Sequence, residues 1–232
     1  MEAIILAGGL GTRLRAVVPD LPKPMAPIRG RPFLEHQMDY WIGQGVTRFI
    51  LSVGYKRELI EAHFGAAYRH CPVVYAREDE PLGTGGGLLL GLAEAQTEPV
   101  LVLNGDTFFE VALESMRVQH AANQAQVTVA LRRVPNNERY GEVMLNAQNV
   151  IEAFSAEPSG DEGIINGGVY IVQRETLLGL GWKPGDKVAL EKDLFPALLD
   201  RKLKMFGMEY TGAFIDIGVP EDYQRAASIL PN

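Results

Sequence analysis

An apolar run cut short by glycine constrains this chain more than any other feature. Residues 2–13 read EAIILAGGLGTR. Ala3, Ile4, Ile5, Leu6 and Ala7 form an unbroken apolar stretch, followed by Gly8, Gly9 and Gly11. Such a run predicts a short strand buried on both faces, the kind found inside a parallel sheet. The glycines let the backbone turn sharply and leave bare N–H groups open to a ligand. Arg13 adds a permanent forked cation beside them, and Thr12 a hydroxyl. The combination predicts a cradle for phosphate oxygens. It is not a Walker A loop, because no Gly-Lys-Ser/Thr follows. It is not the G-x-G-x-x-G dinucleotide fingerprint either, because Arg13 stands where that motif continues.

A second cation is held near this turn by proline. Five prolines fall within residues 18–32, which rules out a regular helix there. Lys23 lies between Pro22 and Pro24, so its ammonium has a narrow range of positions. Two cations converging on one glycine turn suit a polyphosphate, with Arg13 bidentate and Lys23 a point charge. The net charge of −7 argues against a general nucleic-acid or membrane-surface binder. It is compatible with carboxylates that hold a divalent cation. The single cysteine, Cys71, cannot form an internal disulfide and reads as a small buried residue in a cytoplasmic protein. No signal peptide is visible, and no apolar run nears the ~20 residues of a membrane helix.

The rest of the chain alternates. Residues 33–44 carry a helical apolar stripe, 46–53 read as a strand, 56–64 as a helix and 72–76 as a strand. Residues 12–17 fit either a short helix or a loop. The segment EDEPLGTGGG at 78–87 places four glycines in five residues, which excludes a core position, and a helix at 88–95 follows. Residues 99–103, PVLVL, form a very apolar strand that ends in Asn104, Gly105 and Asp106. A polar triplet at the carboxyl end of a buried strand lies where open α/β sheets bind ligands. Beyond residue 110 come a helix at 113–123, a strand at 127–134, a hairpin around Asn146, and a strand within 163–172 preceded by Asn166, Gly167 and Gly168. A helix at 190–199 starts with Glu191, Lys192 and Asp193. A strand at 204–208, a polar break at Asp216 and a closing helix from Pro220 complete the chain. This order predicts one α/β domain, three-layered and Rossmann-like, with a mixed but mainly parallel sheet and helices on both faces. Residues 1–110 are the expected nucleotide-binding half and 111–232 the substrate-binding half.

The motifs, taken in order, resemble the sugar-1-phosphate nucleotidyltransferases. The likeness rests on LAGGLGTRL, PKPMAPI, EPLGTGG (80–86), NGD (104–106), INGGVY (165–170), LEKDLFP (190–196) and DIGVPEDY (216–223), which span almost the whole chain. Val219 stands where many relatives carry threonine. The resemblance implies transfer of a nucleotidyl group from a nucleoside triphosphate to a sugar 1-phosphate, with release of pyrophosphate. Within the family the pattern is most similar to guanylyltransferases that take a heptose 1-phosphate. Mannose 1-phosphate with GTP and N-acetylmuramate 1-phosphate with UTP are the alternatives, and a non-catalytic sugar-nucleotide sensor is a third. The resemblance puts Gly8, Gly9, Gly11 and Thr12 around the nucleotide, Arg13 on its phosphates, Lys23 near the α-phosphate, and Mg²⁺ on Asp106 and Asp216. Leu6 and the 80–85 segment, with Gly83, Thr84 and Gly85, line the base pocket. Glu80 is the carboxylate expected to accept from guanine. Asn104, Gly105, Tyr140, Gly141, Asn166, Gly167, Glu191 and Lys192 fall on the sugar-phosphate side. No hexapeptide-repeat tail follows the last helix, so the expected assembly is a monomer or homodimer.

Overall fold

The computed structural model describes residues 1–14, 16–135, 141–155 and 162–231. Its strands, in chain order, are β1 (Glu2–Leu6), β2 (Pro27–Ile28), β3 (Arg31–Pro32), β4 (Arg48–Val53), β5 (Ala67–Tyr68), β6 (Cys71–Arg77), β7 (Val100–Asn104), β8 (Thr107–Phe109), β9 (Val127–Pro135), β10 (Glu142–Leu145), β11 (Ile151–Ser155), β12 (Glu162–Val172), β13 (Met205–Glu209) and β14 (Phe214–Asp216). The helices are α1 (Phe33–Gly43), α2 (Arg57–Phe64), α3 (Gly83–Glu94), α4 (Leu113–Ala122), α5 (Arg174–Leu178), α6 (Phe195–Asp200) and α7 (Pro220–Ile229).

Eight strands form one sheet in the order β13-β9-β12-β7-β1-β4-β6-β5. β7, β1, β4 and β6 run parallel, as do β9 and β13. β12 runs antiparallel between β9 and β7, and β5 is antiparallel at the edge. The expected mixed, mainly parallel sheet is therefore present. Alternation along the strands divides the core between its two faces. Ile5, Leu51, Leu103 and Ile171 face α1, α2 and α4 with Met38, Trp41, Ile60 and Met116. Ile4, Ile50, Val102 and Tyr170 face α3, α5 and α6 with Leu89, Leu92, Leu177 and Phe195. Cys71 is fully buried, as its composition context suggested. No helix among the described residues is long and apolar enough to cross a membrane.

A third apolar cluster takes nothing from the large sheet. Leu14, Val18, Ala26, Ile28, Phe33, Phe108, Ile215, Ile217, Ala226 and Leu230 pack together. It joins the segment after the glycine turn, the proline-rich segment, the β8–β14 ribbon and α7 into one body.

The structure corrects the reading of the glycine-rich segment. Those glycines lie inside α3, and Gly85, Gly86 and Gly87 are buried. A Cβ on Gly85 would sit 2.9 Å from Val188 O, and one on Gly86 2.5 Å from Asp186 O. Residues 186–188 press against a helix face that only glycine can offer. Gly86 N donates to Val188 O at 2.9 Å, and Val188 N donates to Leu82 O at 2.9 Å. The expected helix at 190–199 is also divided. Residues 190–194 make a π-helical turn before α6 begins. The described residues of this stretch, 12–14, 16 and 17, adopt turns.

β1 is tied at its start by a buried charge. Glu2 is 3% exposed. Its Oε2 accepts from Gln96 N and Thr97 N at 2.7 Å each and from Thr97 Oγ1 at 2.9 Å, while Arg48 pairs with Oε1. Burial alone raises the carboxyl pKa, but these donors outweigh it and hold the group below its ordinary 4.5. A depressed folded pKa stabilises the fold fully above the ordinary value, and that contribution is lost as pH falls through the lower one. Glu2→Gln should cost about 2 kcal/mol in urea unfolding at pH 7. The gap to the parent protein should narrow at pH 3.5.

Candidate active site

The parallel strands β1, β4 and β7 end at the same edge of the sheet, and a cleft opens there. Leu6, Ser52 and Asn104 line it from the three strand ends, with Gly8, Gly9, Gly11, Thr12 and Asp106 from the turns beyond. Its larger lobe has a volume of about 440 Å³. A smaller adjoining lobe of about 180 Å³ adds Arg13, Lys23, Gly105 and Gly218. The glycine turn, both expected cations and the first carboxylate thus meet at one place. The order follows from the fold: the third apolar cluster seats Leu14 just beyond Arg13, and Met25 and Ala26 just beyond Lys23 are buried.

Asp106 and Asp216 come together through the ribbon of β8 and β14. Thr107 pairs with Asp216 and Phe109 with Phe214. Ile217 N donates to Asp106 O at 2.9 Å, extending the ladder by one step. β8 itself was not foreseen in the sequence. The Lys23 ammonium lies 2.5 Å from Asp106 Oδ2 and 3.7 Å from Asp216 Oδ1. Gly218 N also donates to Asp216 Oδ1 at 2.7 Å. Two half-buried carboxylates on one compact cation form an oxygen donor set. They offer what a hard divalent cation prefers, one or two carboxylates with open positions for other oxygens. The Lys23 ammonium stands in for such an ion, so the residues fit a divalent cation bound between Asp106 and Asp216.

Gln37, on α1, is a contributor that sequence reasoning missed. It is 1% exposed, and its Nε2 donates to Asn104 O at 2.8 Å and to Thr107 O at 2.7 Å. Both amide hydrogens therefore clasp the turn that carries Gly105 and Asp106. Nothing in the sequence pattern links residues 37 and 104–107, because the contact is purely tertiary.

At the other end of the cleft the carboxylate is Glu78, not Glu80. Glu80 is exposed and pairs with Lys187 at 2.8 Å, outside the cleft lining. Glu78 lines the cleft. Its Oε1 accepts from Ser52 Oγ at 3.2 Å and its Oε2 from Leu82 N at 3.1 Å. A Cβ on Gly8 would sit 2.1 Å from Glu78 Oε1, so the carboxylate depends on glycine there. The end of the β6 ladder, rather than parity alone, picks out Glu78, because Glu80 has the same parity. Its N–H donates to Val53 O and continues the β6 ladder, which puts Glu78 on the same face as Ala76. Glu80 lies past the point where that alternation holds. Gly83 and Thr84 line the cleft, whereas Gly85 packs against Val188.

A polar cluster on the β12 side joins Asn166 and Glu191. Asn166 Nδ2 donates to Tyr170 Oη at 2.7 Å and to Glu191 Oε1 at 2.6 Å, and Asn166 Oδ1 accepts from Gly168 N. The Asn104 side chain also lies near the Tyr170 hydroxyl. Burial, reinforced by the charge of Glu191, pushes that hydroxyl far above its ordinary pKa, so it stays neutral. Gly167 packs closely on the Phe109 ring. Lys192 is exposed beside Glu191, in the π-helical turn. Thr84 Oγ1 accepts from Leu190 N at 3.0 Å and so ties this turn to α3. Gly141 has φ +70° just before β10. Tyr140 lies outside the described residues.

The chain belongs to the nucleotidyl transferase family, whose model matches residues 2–232. Enzymes of this family generally use a divalent metal. A D-glycero-alpha-D-manno-heptose 1-phosphate guanylyltransferase of Aneurinibacillus thermoaerophilus is 43% identical over 99% of this chain and 98% of its own length. A Campylobacter jejuni protein of the same name is 39% identical over 96% of this chain and 97% of its own length. The crystal structure of HddC from Yersinia pseudotuberculosis superposes with a TM-score of 0.84 at 33% identity, covering 98% of each chain. That protein is also known complexed with GMP-PN.

The clasp on the Asp106 turn is testable. Gln37→Leu removes the amide donor from the Asn104 and Thr107 carbonyls, and should cost about 1–3 kcal/mol of stability in urea unfolding. Turnover should fall as well, because the turn is no longer held.

Proposed function

We propose that this enzyme transfers a guanylyl group from GTP to a heptose 1-phosphate, giving a GDP-heptose and pyrophosphate. The observation that carries the reading is Lys23 Nζ between Asp106 and Asp216 at the mouth of the glycine turn. The two near-full-length relatives above support the choice of sugar and base. Residues 1–110 take the nucleotide and residues 111–232 the sugar phosphate. Gly8, Gly9, Gly11 and Thr12 present backbone and hydroxyl groups to the triphosphate, and Arg13 pairs with its oxygens. Asn166, Glu191 and Lys192 meet the sugar phosphate.

The chemistry asks for alignment and charge neutralisation. A sugar-phosphate oxygen attacks the α-phosphorus of GTP in line. The new P–O bond forms as the bond from the α-phosphorus to the bridging oxygen breaks, and pyrophosphate leaves with that electron pair. The nucleophile is already an anion near neutral pH, since a phosphate monoester has its second pKa near ~6. No general base is required, and the described cleft lining contains no histidine. Asp106 and Asp216 would hold Mg²⁺, which would supply Lewis-acid stabilisation of the phosphoryl oxygens when bound. Lys23 exchanges its carboxylate partners for an α-phosphate oxygen. Gln37 keeps the Asp106 turn in register through this exchange.

Glu78 reads the base. Guanine presents two adjacent donors, N1–H and N2–H, which match one carboxylate held by Ser52 Oγ and Leu82 N. Uracil presents carbonyl oxygens beside its single N–H, and these repel a carboxylate.

Pyrophosphate release with Mg²⁺, four nucleoside triphosphates and a panel of sugar 1-phosphates tests the reading. The expected result is turnover with GTP and the heptose phosphate above all other pairs. A preference for mannose 1-phosphate would replace the sugar assignment, and no release with any pair would sink the enzymatic reading. Glu78→Gln should lower kcat/KM for GTP relative to UTP by roughly tenfold to a hundredfold. An unchanged ratio would remove Glu78 from base recognition.

A further inference from the structure

The ribbon that carries both carboxylates is very short. β8 and β14 have three residues each. An isolated two-stranded ribbon of this size is not stable in water. One end of it meets the cleft, which Asp106 lines and where Asp216 lies 3.7 Å from the Lys23 ammonium. The other end is fixed by two charged side chains that line neither lobe of the cleft. Glu110, directly after β8, accepts from Ala213 N through Oε2 at 2.9 Å. Its own N–H donates to Ala213 O at 2.9 Å, so backbone and side chain bind the same residue of the opposing strand. Arg132, from β9, donates through Nη1 to Gly212 O at 2.9 Å and to Tyr210 O at 3.4 Å. Arg132 pairs in the sheet with Ile165, the residue before Asn166.

We propose that Glu110 and Arg132 are positioning residues that set the spacing of Asp106 and Asp216, and thereby the affinity of the site for a divalent cation. The inference rests on the metal reading given under Proposed function. Its physical basis is leverage over a short ladder. Two residue pairs separate the clasp from Asp216 and three separate it from Asp106, and a register or twist change at one end of so short a ribbon reaches the other. Both clasps are charge-assisted, so each holds the loop more firmly than a neutral hydrogen bond does. Arg132 also joins the ribbon to the strand bearing Asn166. The clasp therefore fixes the metal carboxylates relative to the sugar-phosphate side as well as to each other.

Mn²⁺ binding, followed by the electron-spin resonance of the free ion, separates this role from a merely structural one. Glu110→Ala and Arg132→Met should each weaken Mn²⁺ binding by roughly tenfold. Glu110→Gln keeps an acceptor for Ala213 N and should restore most of the affinity. In turnover, the Mg²⁺ concentration for half-activation should rise in Glu110→Ala while kcat at saturating Mg²⁺ is largely kept. Asp216→Asn serves as the reference. If it loses Mn²⁺ binding while Glu110→Ala and Arg132→Met bind as the parent protein does, the clasp is structural only and the proposal is overturned. If Asp216→Asn itself binds Mn²⁺ normally, the metal reading beneath it fails instead. Should the larger truncations not fold, Arg132→Lys and Glu110→Asp, which shorten the two clasps, decide by the same titration: weakened Mn²⁺ binding supports the clasp, and unchanged affinity in both overturns it.

Discussion

Two carboxylates held close together repel, and this site brings Asp106 and Asp216 onto a single ammonium. Removed from bulk water, such a pair is unfavourable unless a cation lies between them. Lys23 supplies that cation in the structure. The arrangement is held in tension: the carboxylates need a positive charge, and in the proposed reaction a metal ion that also binds phosphate would take the place of the lysine. Much of the surrounding structure keeps these three groups in place against their own electrostatics.

The means is a small apolar cluster outside the main sheet. Leu14 and Val18 follow Arg13, Ala26 and Ile28 follow Lys23, Phe108 follows Asp106, and Ile215 and Ile217 flank Asp216. Each functional side chain therefore has a buried neighbour a few positions away along the chain. Packing those neighbours into one cluster sets four distant stretches of sequence at a common point. Ala226 and Leu230 bring the last helix into the same body, and Tyr223 Oη donates to Pro27 O at 2.8 Å. Burying hydrophobic surface supplies the stability, while the polar groups beside it stay available for chemistry.

The parts of this fold that could be read from sequence are those with local physical signatures. β1, β4 and β7 announce themselves as apolar runs because both their faces are covered. The turn at Gly8–Gly9 and the stiff segment around Lys23 are legible for the same reason, since glycine and proline act on their own backbone. The carboxylates were visible as polar breaks after apolar strands, and the family motifs marked them as a pair. Long-range packing left no such mark. Glycine carries no hydrophobic periodicity, so α3 was read as beginning after its own first turn; the segment that covers Gly85 and Gly86 lies about a hundred residues on. Chemistry alone points to Glu80, whereas the carboxylate that lines the cleft is Glu78, two residues earlier, where the β6 ladder ends. Gln37, Glu110 and Arg132 act only through tertiary contacts, which no spacing in the sequence encodes.

The central claim is that Asp106 and Asp216 bind one divalent cation and release Lys23 to the nucleotide. Anomalous diffraction from crystals grown with Mn²⁺ and GTP, without sugar phosphate, tests it most directly. The account predicts one anomalous peak about 2.0–2.3 Å from a carboxylate oxygen of each aspartate, with Lys23 Nζ turned to the α-phosphate. A peak bound to neither aspartate, or Lys23 still bridging both carboxylates with GTP in place, would contradict it.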